Sequence, residues 1–458
     1  MMRILNFNLK RFIEGSFSST SLPFFLSSQR VRARSAGTEA GTGTGTGRVL
    51  DFSCGLNMAL AGKGVIVDHQ AFHNLTSSQL QHKGATIPGL PLLVRGRFHG
   101  IGAAAAGGGA SQISKPQFTK LLKHARFNLL LSLFSVVLHS FHRVTSHISS
   151  ISNIFVHDGA IGSLPKCDAK VRLISDSSSA VLSLSRILWG TSTRAVSHDS
   201  CPLTVYVATS ISSGIGDVID LGSKGNNGFI AADIERSSLV LCGKAFSDLN
   251  VTKEALAALS GPVIFARGGL PLCARLLVSG DSVVLIFAPK GTFKSCRHLL
   301  VPKEAGVILS SEGVAPLFQT GGQNLFKFPS VVVLASSDSS GVIPSVSKLS
   351  PGQAAYHFLA GYQNGKFMPA YNKGPSCIHP MELAKAFLSK LQDEKISSYL
   401  LNVNGGEKNV NGKDLANLVQ STLSENIPPF EAKSGDLEDK YKSFLLSEFQ
   451  EVPEELSF

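Results

Sequence analysis

Residues 330–362 constrain the fold more than any other part of this 458-residue chain. Residues 331–335 are an unbroken apolar and mostly β-branched run, too short for a helix, which predicts a central strand covered on both faces. Ser350 followed by Pro351, with Gln353 three residues after the cap, predicts that a helix begins there. The polar stretch between strand and helix therefore lies at the carboxyl end of a strand, where open α/β sheets bind ligands.

Short β-rich runs recur from residue 153 onward and alternate with turns and helices. They predict strands at residues 154–156, 170–174, 203–208, 238–242, 263–265, 282–287, 306–309, 330–335 and 398–403. A mixed α/β class follows from this alternation. The chain is also long enough to form two domains.

Charge and cysteine usage exclude several classes of protein. Of the net charge of +11, residues 1–50 carry +5, because seven Lys or Arg stand there against two Glu, and +6 is spread over the rest. No basic cluster is interleaved with aromatic residues, so we expect no nucleic-acid partner. The seven cysteines include no CxxC pair, which predicts reduced thiols rather than a disulfide framework or a zinc site.

The N-terminal residues have the composition of a targeting segment. Residues 1–36 start with a basic amphipathic stretch and continue rich in Ser and Arg with almost no acid, as in an organellar transit peptide. The Arg-rich end at residues 30–34 favours mitochondria, with plastid and cytosol as alternatives. The apolar run at residues 127–141 is interrupted by polar residues and is shorter than the ~20 residues needed to span a bilayer, so we expect no membrane span.

The order of residues within 330–362 resembles the nucleotide-binding domain of ATP-dependent phosphoenolpyruvate carboxykinase. The matching positions are Asp338, Gly341, Val342 and Pro344 in the turn, residues 346–349 after it, and residues 356–362 in the helix. Weaker likeness at residues 153–175, 232–248, 379–390 and 400–406 extends the resemblance over about residues 150–425. The resemblance implies a two-domain phosphoenolpyruvate carboxykinase-like α/β fold with mixed sheets and a P-loop-like nucleotide-binding domain.

Composition and resemblance together predict five regions. They are a transit peptide at residues 1–36, a poorly specified region with low-complexity tracts at 37–150, an N-terminal carboxykinase-like α/β domain at 151–245, a C-terminal nucleotide-binding-like domain at 246–430, and an acidic helical tail at 431–458. Because Lys and Glu recur at helical spacings in the tail, we expect a solvated helix there.

The predicted strand at residues 282–287 leads into a stretch that is similar to the family's phosphate loop. The residues that match the loop motif are Gly291, Thr292, Lys294 and Ser295. In such loops, backbone N–H groups cradle phosphates, a Lys reaches the terminal phosphates and a hydroxyl ligates magnesium. The resemblance therefore implies an ATP site, with Lys294 also catalytic.

Two glycines of the family's loop are replaced here, by Ala288 and Phe293. A side chain at these positions obstructs the approach of the backbone to phosphate, and Phe293 is the bulkier of the two. Two interpretations stay open, a weakened anion site and an ordinary strand-to-helix turn with an exposed Lys.

The resemblance also implies a metal site, with fewer ligands than the family has. Lys253 corresponds to a metal-binding and catalytic Lys, but residues 254–262 contain no His. Glu304 stands where the family has an acidic pair, and Ser295 and Asp338 complete the implied ligands. The chain between residues 318 and 330 is shorter than in the family and lacks the segment that supplies an Arg to the phosphates.

Two functions follow as hypotheses. The first is a catalytically impaired relative that keeps the shell as a binding or scaffolding protein and needs no cofactor, because several charges that stabilise the transition state are missing. The alternative is an active enzyme that uses ATP and Mn²⁺ or Mg²⁺ to convert oxaloacetate to phosphoenolpyruvate, ADP and CO₂ in gluconeogenesis.

Overall fold

Helices and strands alternate through most of residues 52–458, which form one structural unit. The computed structural model describes residues 53–86, 97–101, 110–112, 144–190, 196, 199, 202–211, 228–233, 236–288, 300–301, 306–336, 338, 343–363, 366–371, 378–403, 427–431, 436–456 and 458. The predicted mixed α/β class is confirmed. The predicted transit peptide and the apolar run at 127–141 lie outside the described residues.

Eight α-helices lie in the described part of the chain. They are α1 (Ser53–Gly62), α2 (Ser77–His82), α3 (Val144–Ser149), α4 (Ser178–Ser185), α5 (Leu249–Ala266), α6 (Pro351–Leu359), α7 (Pro380–Asp393) and α8 (Asp436–Glu448). None of them is long and apolar enough to cross a membrane.

The strands of the described residues form four sheets. In chain order they are β1 (Gln70–His73), β2 (Arg97–Ile101), β3 (Ala110–Gln112), β4 (Asn153–Ile161), β5 (Ala169–Ser175), β6 (Leu203–Ala208), β7 (Gly228–Asp233), β8 (Ser238–Gly243), β9 (Leu270–Leu272), β10 (Arg275–Ser279), β11 (Ser282–Phe287), β12 (Leu300–Val301), β13 (Val307–Ser310), β14 (Gly313–Pro316), β15 (Val331–Ser336), β16 (Val346–Leu349), β17 (Tyr362–Gln363), β18 (Lys366–Phe367) and β19 (Ser397–Asn402).

The first sheet has eight strands in the order β1-β4-β5-β6-β8-β7-β2-β3. Its central strands β5, β6 and β8 run parallel and are buried along their whole length, as expected for a sheet covered on both faces. On one face, residues such as Leu173 and Val205 pack with helices α4 and α5. On the other face, Ile174 and Tyr206 pack with α1 and α3.

The second sheet has the order β12-β10-β11-β15-β19-β16. Its three central strands β11, β15 and β19 are parallel, so their carboxyl ends meet at one edge. One face packs against helices α6 and α7, where Phe287 meets Phe358 and Phe387 edge to face at 5.6 and 5.7 Å. The other face is a separate apolar cluster that includes Ile286 and Val333.

Helix α6 begins where the sequence predicts. The Ser350 hydroxyl accepts a hydrogen bond from the Gln353 amide at 3.1 Å, and the Gln353 side chain accepts one from the Ser350 amide at 2.9 Å. Pro351 occupies the first turn, where its missing N–H leaves no hydrogen bond unmade. The capping box therefore sets the start of α6.

The prediction of a strand at residues 263–265 is wrong, because helix α5 continues through Pro262 to Ala266. Leu256, Leu259 and Ile264 lie on its buried side. The short apolar run belongs to this longer helical face, and a run of that length does not distinguish a strand from a buried helix segment.

The helix expected in the C-terminal tail is present, but it is solvated on only part of its surface. Helix α8 forms, but Leu437, Tyr441 and Leu445 on one of its sides are buried in the core of the second sheet. These residues are spaced four apart and so share one helix face, which the surrounding Lys and Glu residues mask in the sequence.

We predict that Gly313→Ala destabilises the protein by at least about 2 kcal/mol more than Gly321→Ala. Both glycines have a positive φ, of 128° and 75°. Only at Gly313 would an added Cβ meet a neighbour, the Phe326 carbonyl oxygen at 2.2 Å, where Val314 and Phe326 pair through their backbones. Urea unfolding of both variants measures the difference in stability. Equal losses of stability would show that the close approach to the Phe326 carbonyl does not contribute.

Candidate functional site

The carboxyl edge of the second sheet is the first candidate site. Strand β11 ends at Phe287 and β15 ends at Ser336, which lies opposite Asn402 at the end of β19. Asp338, two residues beyond β15, therefore comes beside Asn402. In parallel α/β sheets this edge is where ligands bind, and the ligand site expected from the sequence stays a prediction for this position.

Asp338 and Asn402 hold the turn at this edge together. The Asn402 amide oxygen accepts from the Asp338 backbone N–H at 2.9 Å, and its amide nitrogen donates to the carbonyls of Asp338 at 2.8 Å and Ile343 at 3.2 Å. The Asp338 carboxylate accepts from the Ile343 N–H at 3.1 Å. Both side chains are almost completely buried. Their hydrogen bonds therefore take the place of water for backbone groups that are not paired with a neighbouring strand.

The end of β15 is also tied to neighbouring segments. The Ser336 hydroxyl donates to the main-chain oxygen of Tyr362, the first residue of β17. The Val403 N–H donates to the Ser336 carbonyl at 2.8 Å, and the Asn402 N–H donates to the Ser345 carbonyl at 2.9 Å. The described residues on either side of the turn are thus held by hydrogen bonds within the protein.

Only two of the site residues predicted from the sequence are described. Asp338 lies fully buried at the sheet edge, with a carboxylate oxygen engaged by the turn, and its assignment as a metal ligand stays a prediction. Lys253 is half-buried on helix α5, whose residues pack with the core of the first sheet. The other predicted residues, Gly291, Thr292, Lys294, Ser295 and Glu304, lie outside the described residues, as does Phe293.

The segment that lacks the family's His has a structural role. Residues 254–262 form the middle of α5, where Ala255, Leu256 and Leu259 are buried in the core of the first sheet. Among the described residues, no group of three or more His, Cys, Asp or Glu side chains has an arrangement that would hold a metal ion.

A second polar cluster, which sequence reasoning missed, lies at the carboxyl ends of β5 and β6. Asp176 follows β5 and accepts hydrogen bonds from the backbone and hydroxyl groups of Thr209 and Ser210, at 2.6 to 3.0 Å. The Nε2 atom of His147, on α3, lies 3.2 Å from Asp176 and 3.0 Å from the Ser210 hydroxyl. Burial by itself would raise the pKa of Asp176, but these hydrogen bonds outweigh it and lower the pKa to about 2.

The arrangement of this Ser, His and Asp does not suit nucleophilic catalysis. The Ser210 hydroxyl donates to Asp176 at 2.6 Å, so its oxygen accepts from His147 and the same Nε2 faces both partners. In a catalytic triad, the imidazole takes the serine proton with one nitrogen and bonds the carboxylate with the other. The cluster therefore fastens three chain segments, and no spacing in the sequence signals it.

Two buried ion-pair groups lie elsewhere on the first sheet. Arg172 binds Asp158 through two hydrogen bonds of 2.8 and 2.7 Å, and His73 on the edge strand lies 3.0 Å from the same carboxylate. Burial opposes ionisation of Asp158, but hydrogen bonds from Arg172 and His73 lower its pKa to about 2. These bonds join β1, β4 and β5 and saturate the carboxylate, which indicates a structural role.

The second group joins the end of α5 to β5. Lys170 lies 2.5 Å from Asp168, and both side chains are almost fully buried. Arg267, just after α5, binds Asp199 at 2.5 Å and also donates to the Asp168 carbonyl. The Asp199 that the sequence places in a His-Asp-Ser-Cys run thus serves as an ion-pair partner.

Comparison with known proteins gives partial matches to one enzyme family. The family model described as phosphoenolpyruvate carboxykinase matches residues 319–423. The phosphoenolpyruvate carboxykinases (ATP) of Eremothecium gossypii and Saccharomyces cerevisiae are 32% and 31% identical over 87 residues, which are 16% of this chain and 16% of each relative. That of Leptospira biflexa is 30% identical over 118 residues, 22% of both chains.

The fold and the sheet edge define the chain as a mixed α/β protein with polar residues at the ends of parallel strands. The segment that the family model matches contains Asp338, helix α6 and Asn402. Over residues 319–423 the chain is therefore similar to the phosphoenolpyruvate carboxykinase (ATP) family. The matched segments span less than a quarter of the length of these curated relatives.

We predict that Asn402→Ala destabilises the protein by about 1–3 kcal/mol, because it leaves a buried N–H and two buried carbonyls without their partner. Asn153→Ala, at the exposed first residue of β4, is the matched control and should change stability by less than about 0.5 kcal/mol. Chemical unfolding gives both values. Equal effects would mean that Asn402 does not hold the turn.

Proposed function

We propose that this chain is a catalytically impaired relative of phosphoenolpyruvate carboxykinase (ATP) that keeps the shell as a binding or scaffolding protein. Ala288 carries the proposal. It stands directly after β11, at the first loop position beyond a central parallel strand, where the family has a glycine. There the backbone must come close to phosphate, and a Cβ hinders that approach.

Further sequence differences support the proposal. Phe293 replaces a second glycine immediately before Lys294, and no His stands where the family's metal-binding His is expected. Phosphoryl transfer depends almost entirely on positioning and on charge neutralisation by metal ions and cationic side chains. The loss of one preorganised electrostatic contact commonly costs about 3 kcal/mol of transition-state stabilisation, so several losses together would reduce the rate by many orders of magnitude.

Retained features of the same edge favour the alternative, an active enzyme. The loop keeps Gly291, Thr292, Lys294 and Ser295, which would supply the backbone cradle, the cation and the hydroxyl. The ends of β11, β15 and β19 meet at one edge, as in nucleotide-binding sheets. The family uses ATP and a divalent metal. In this alternative the chain would bind ATP with Mn²⁺ or Mg²⁺ and interconvert oxaloacetate and phosphoenolpyruvate.

We predict no oxaloacetate-dependent formation of phosphoenolpyruvate above background with the purified chain, ATP and Mn²⁺. The assay couples phosphoenolpyruvate to pyruvate kinase and uses an active family member as positive control. Turnover of about 1 s⁻¹ or faster, as in ordinary metabolic enzymes, would contradict the impaired function and establish the alternative.

The same preparation shows whether an anion site persists in the loop. ADP binding is measured by calorimetry for the wild type, Phe293→Gly, and Phe293→Gly combined with either Lys294→Ala or Lys290→Ala. A remnant site gains affinity from Phe293→Gly and loses that gain with Lys294→Ala but not with Lys290→Ala, which removes the same charge from the same loop. No gain from Phe293→Gly identifies the loop as a plain turn.

We also propose that the chain is mitochondrial, on the basis of the basic, acid-poor composition of residues 1–36. Residues 1–40 fused to a fluorescent reporter should direct it to mitochondria in eukaryotic cells. The same fusion with Arg30, Arg32 and Arg34 changed to Gln is the control and should lose import. A reporter that stays cytosolic, or that enters plastids in plant cells, would refute the mitochondrial assignment.

A further inference from the structure

The C-terminal strap, defined as residues 436–456 together with Phe458, lies against helix α6. Its helix α8 places Leu437, Tyr441 and Leu445 in the core of the second sheet. Phe458 contacts Tyr356 on α6 edge to face at 5.8 Å, and its main-chain oxygen accepts from Gln353 at 3.2 Å. Apolar and aromatic contacts and this hydrogen bond therefore dock the strap.

His357 lies in the middle of this contact. It projects from α6 with 1% of its surface exposed. Three aromatic rings surround it, those of Phe430, Tyr441 and Phe458, at centroid distances of 5.0, 5.3 and 5.9 Å. Two of these rings belong to the strap, so the strap itself keeps water from the imidazole.

The hydrogen bonding of His357 suits only a neutral ring. Its Nδ1 atom lies 3.4 Å from the Tyr441 hydroxyl, and its Nε2 atom has no hydrogen-bond partner among the described residues. A protonated imidazole would need acceptors for two N–H groups and would place a charge inside an apolar core. Burial accordingly lowers the pKa of His357 to about 3.

The titratable groups around His357 are mainly tyrosines. On its own helix, burial followed by the charge of Glu438 raises the pKa of Tyr356 to about 12. From the strap, burial raises the pKa of Tyr441 well above its ordinary value, with further contributions from Tyr356, Tyr362 and Asp338. The two carboxylates act on the tyrosines, and these tyrosines stay neutral near neutral pH. Of the groups gathered around His357, the imidazole itself would therefore gain a charge on mild acidification, once the strap has opened.

We propose that the strap is an acid-sensitive latch, docked on α6 while His357 is neutral and released when water and a proton reach the imidazole. Release would also affect the sheet edge. Tyr441 lies within electrostatic range of Asp338 and Tyr362. The main-chain oxygen of Tyr362 in turn accepts a hydrogen bond from the Ser336 hydroxyl. The latch is a property of the packing, and it holds whether or not the sheet edge binds nucleotide.

The direction of the pH effect follows from the two states. In the open state the imidazole titrates at its ordinary pKa of 6.5, whereas in the docked state the pKa is about 3. Docking is therefore fully stable above pH 6.5 and weakens as the pH falls from 6.5 toward 3. Between pH 7.5 and pH 5.0, the opening equilibrium should rise about 30-fold.

Hydrogen exchange of the full chain tests the latch. Backbone amides at residues 437–449 are followed by mass spectrometry from pH 7.5 to 5.0, with correction for the intrinsic exchange rate. We expect exchange of the strap to rise about 30-fold in the wild type and to be nearly independent of pH in His357→Phe, whose ring keeps the aromatic packing. His82→Phe, at an exposed histidine at the end of α2, is the control and should behave like the wild type.

The wild type alone also decides the outcome if His357→Phe does not fold. In NMR spectra, the chemical shift of the His357 ring carbon should stay at the value of a neutral imidazole down to pH 5 while the strap is docked. A ring that titrates near 6.5 in the docked state would overturn the proposal, as would equal pH dependence in His357→Phe and the wild type. His379 also contacts the strap, because its ring centroid lies 5.8 Å from that of Phe449. His379→Asn can keep the helix cap and therefore checks that the effect belongs to His357.

Discussion

The parallel strands β11, β15 and β19 are apolar on both faces, and the second sheet depends on covering both of them. Helices α6 and α7 cover one face through Phe358 and Phe387, and the strap adds Tyr441 to the same core. Parallel strands also bring their carboxyl ends to one edge, where the ladder stops and backbone groups need other partners. Asn402 and Asp338 supply those partners, so the turn at the edge follows from the burial of the strands.

The residues that pack the core of such a fold differ from the charged residues that carry out a reaction. This separation explains how a fold of this kind can persist when its catalytic residues change. Fully burying an aliphatic side chain contributes about 1.5–3 kcal/mol, and the cores of both sheets contain many of them. Of the predicted site residues that the structure describes, Asp338 lies just beyond β15 and Lys253 lies half-buried on α5. In the impaired relative that we propose, Ala288 stands directly beyond β11, and β11 keeps its place between β10 and β15.

How far the sequence could predict the structure depended on the range of the interactions. The start of α6 rests on Ser350, Pro351 and Gln353, which lie within one turn of one another, and it was predicted correctly. The short run at residues 263–265 failed because its apolar character is shared by strands and buried helices. The cluster of His147, Asp176 and Ser210 joins residues 29 to 63 positions apart, so only the fold brings them together.

The strap shows the same limit and links it to the candidate site. Its Lys and Glu residues suggested a solvated helix, yet Leu437, Tyr441 and Leu445 form a narrow buried face that is sufficient to dock it. The sheet edge is supported by β19 through Asn402 and by β17 through Tyr362, whose ring centroid lies 6.2 Å from that of Tyr441 on α8. An edge supported in this way by the protein alone keeps its shape without nucleotide or metal. Asp338 and Ile343 are therefore held at this edge by the protein itself, and any ligand bound beside them would gain from that preorganisation.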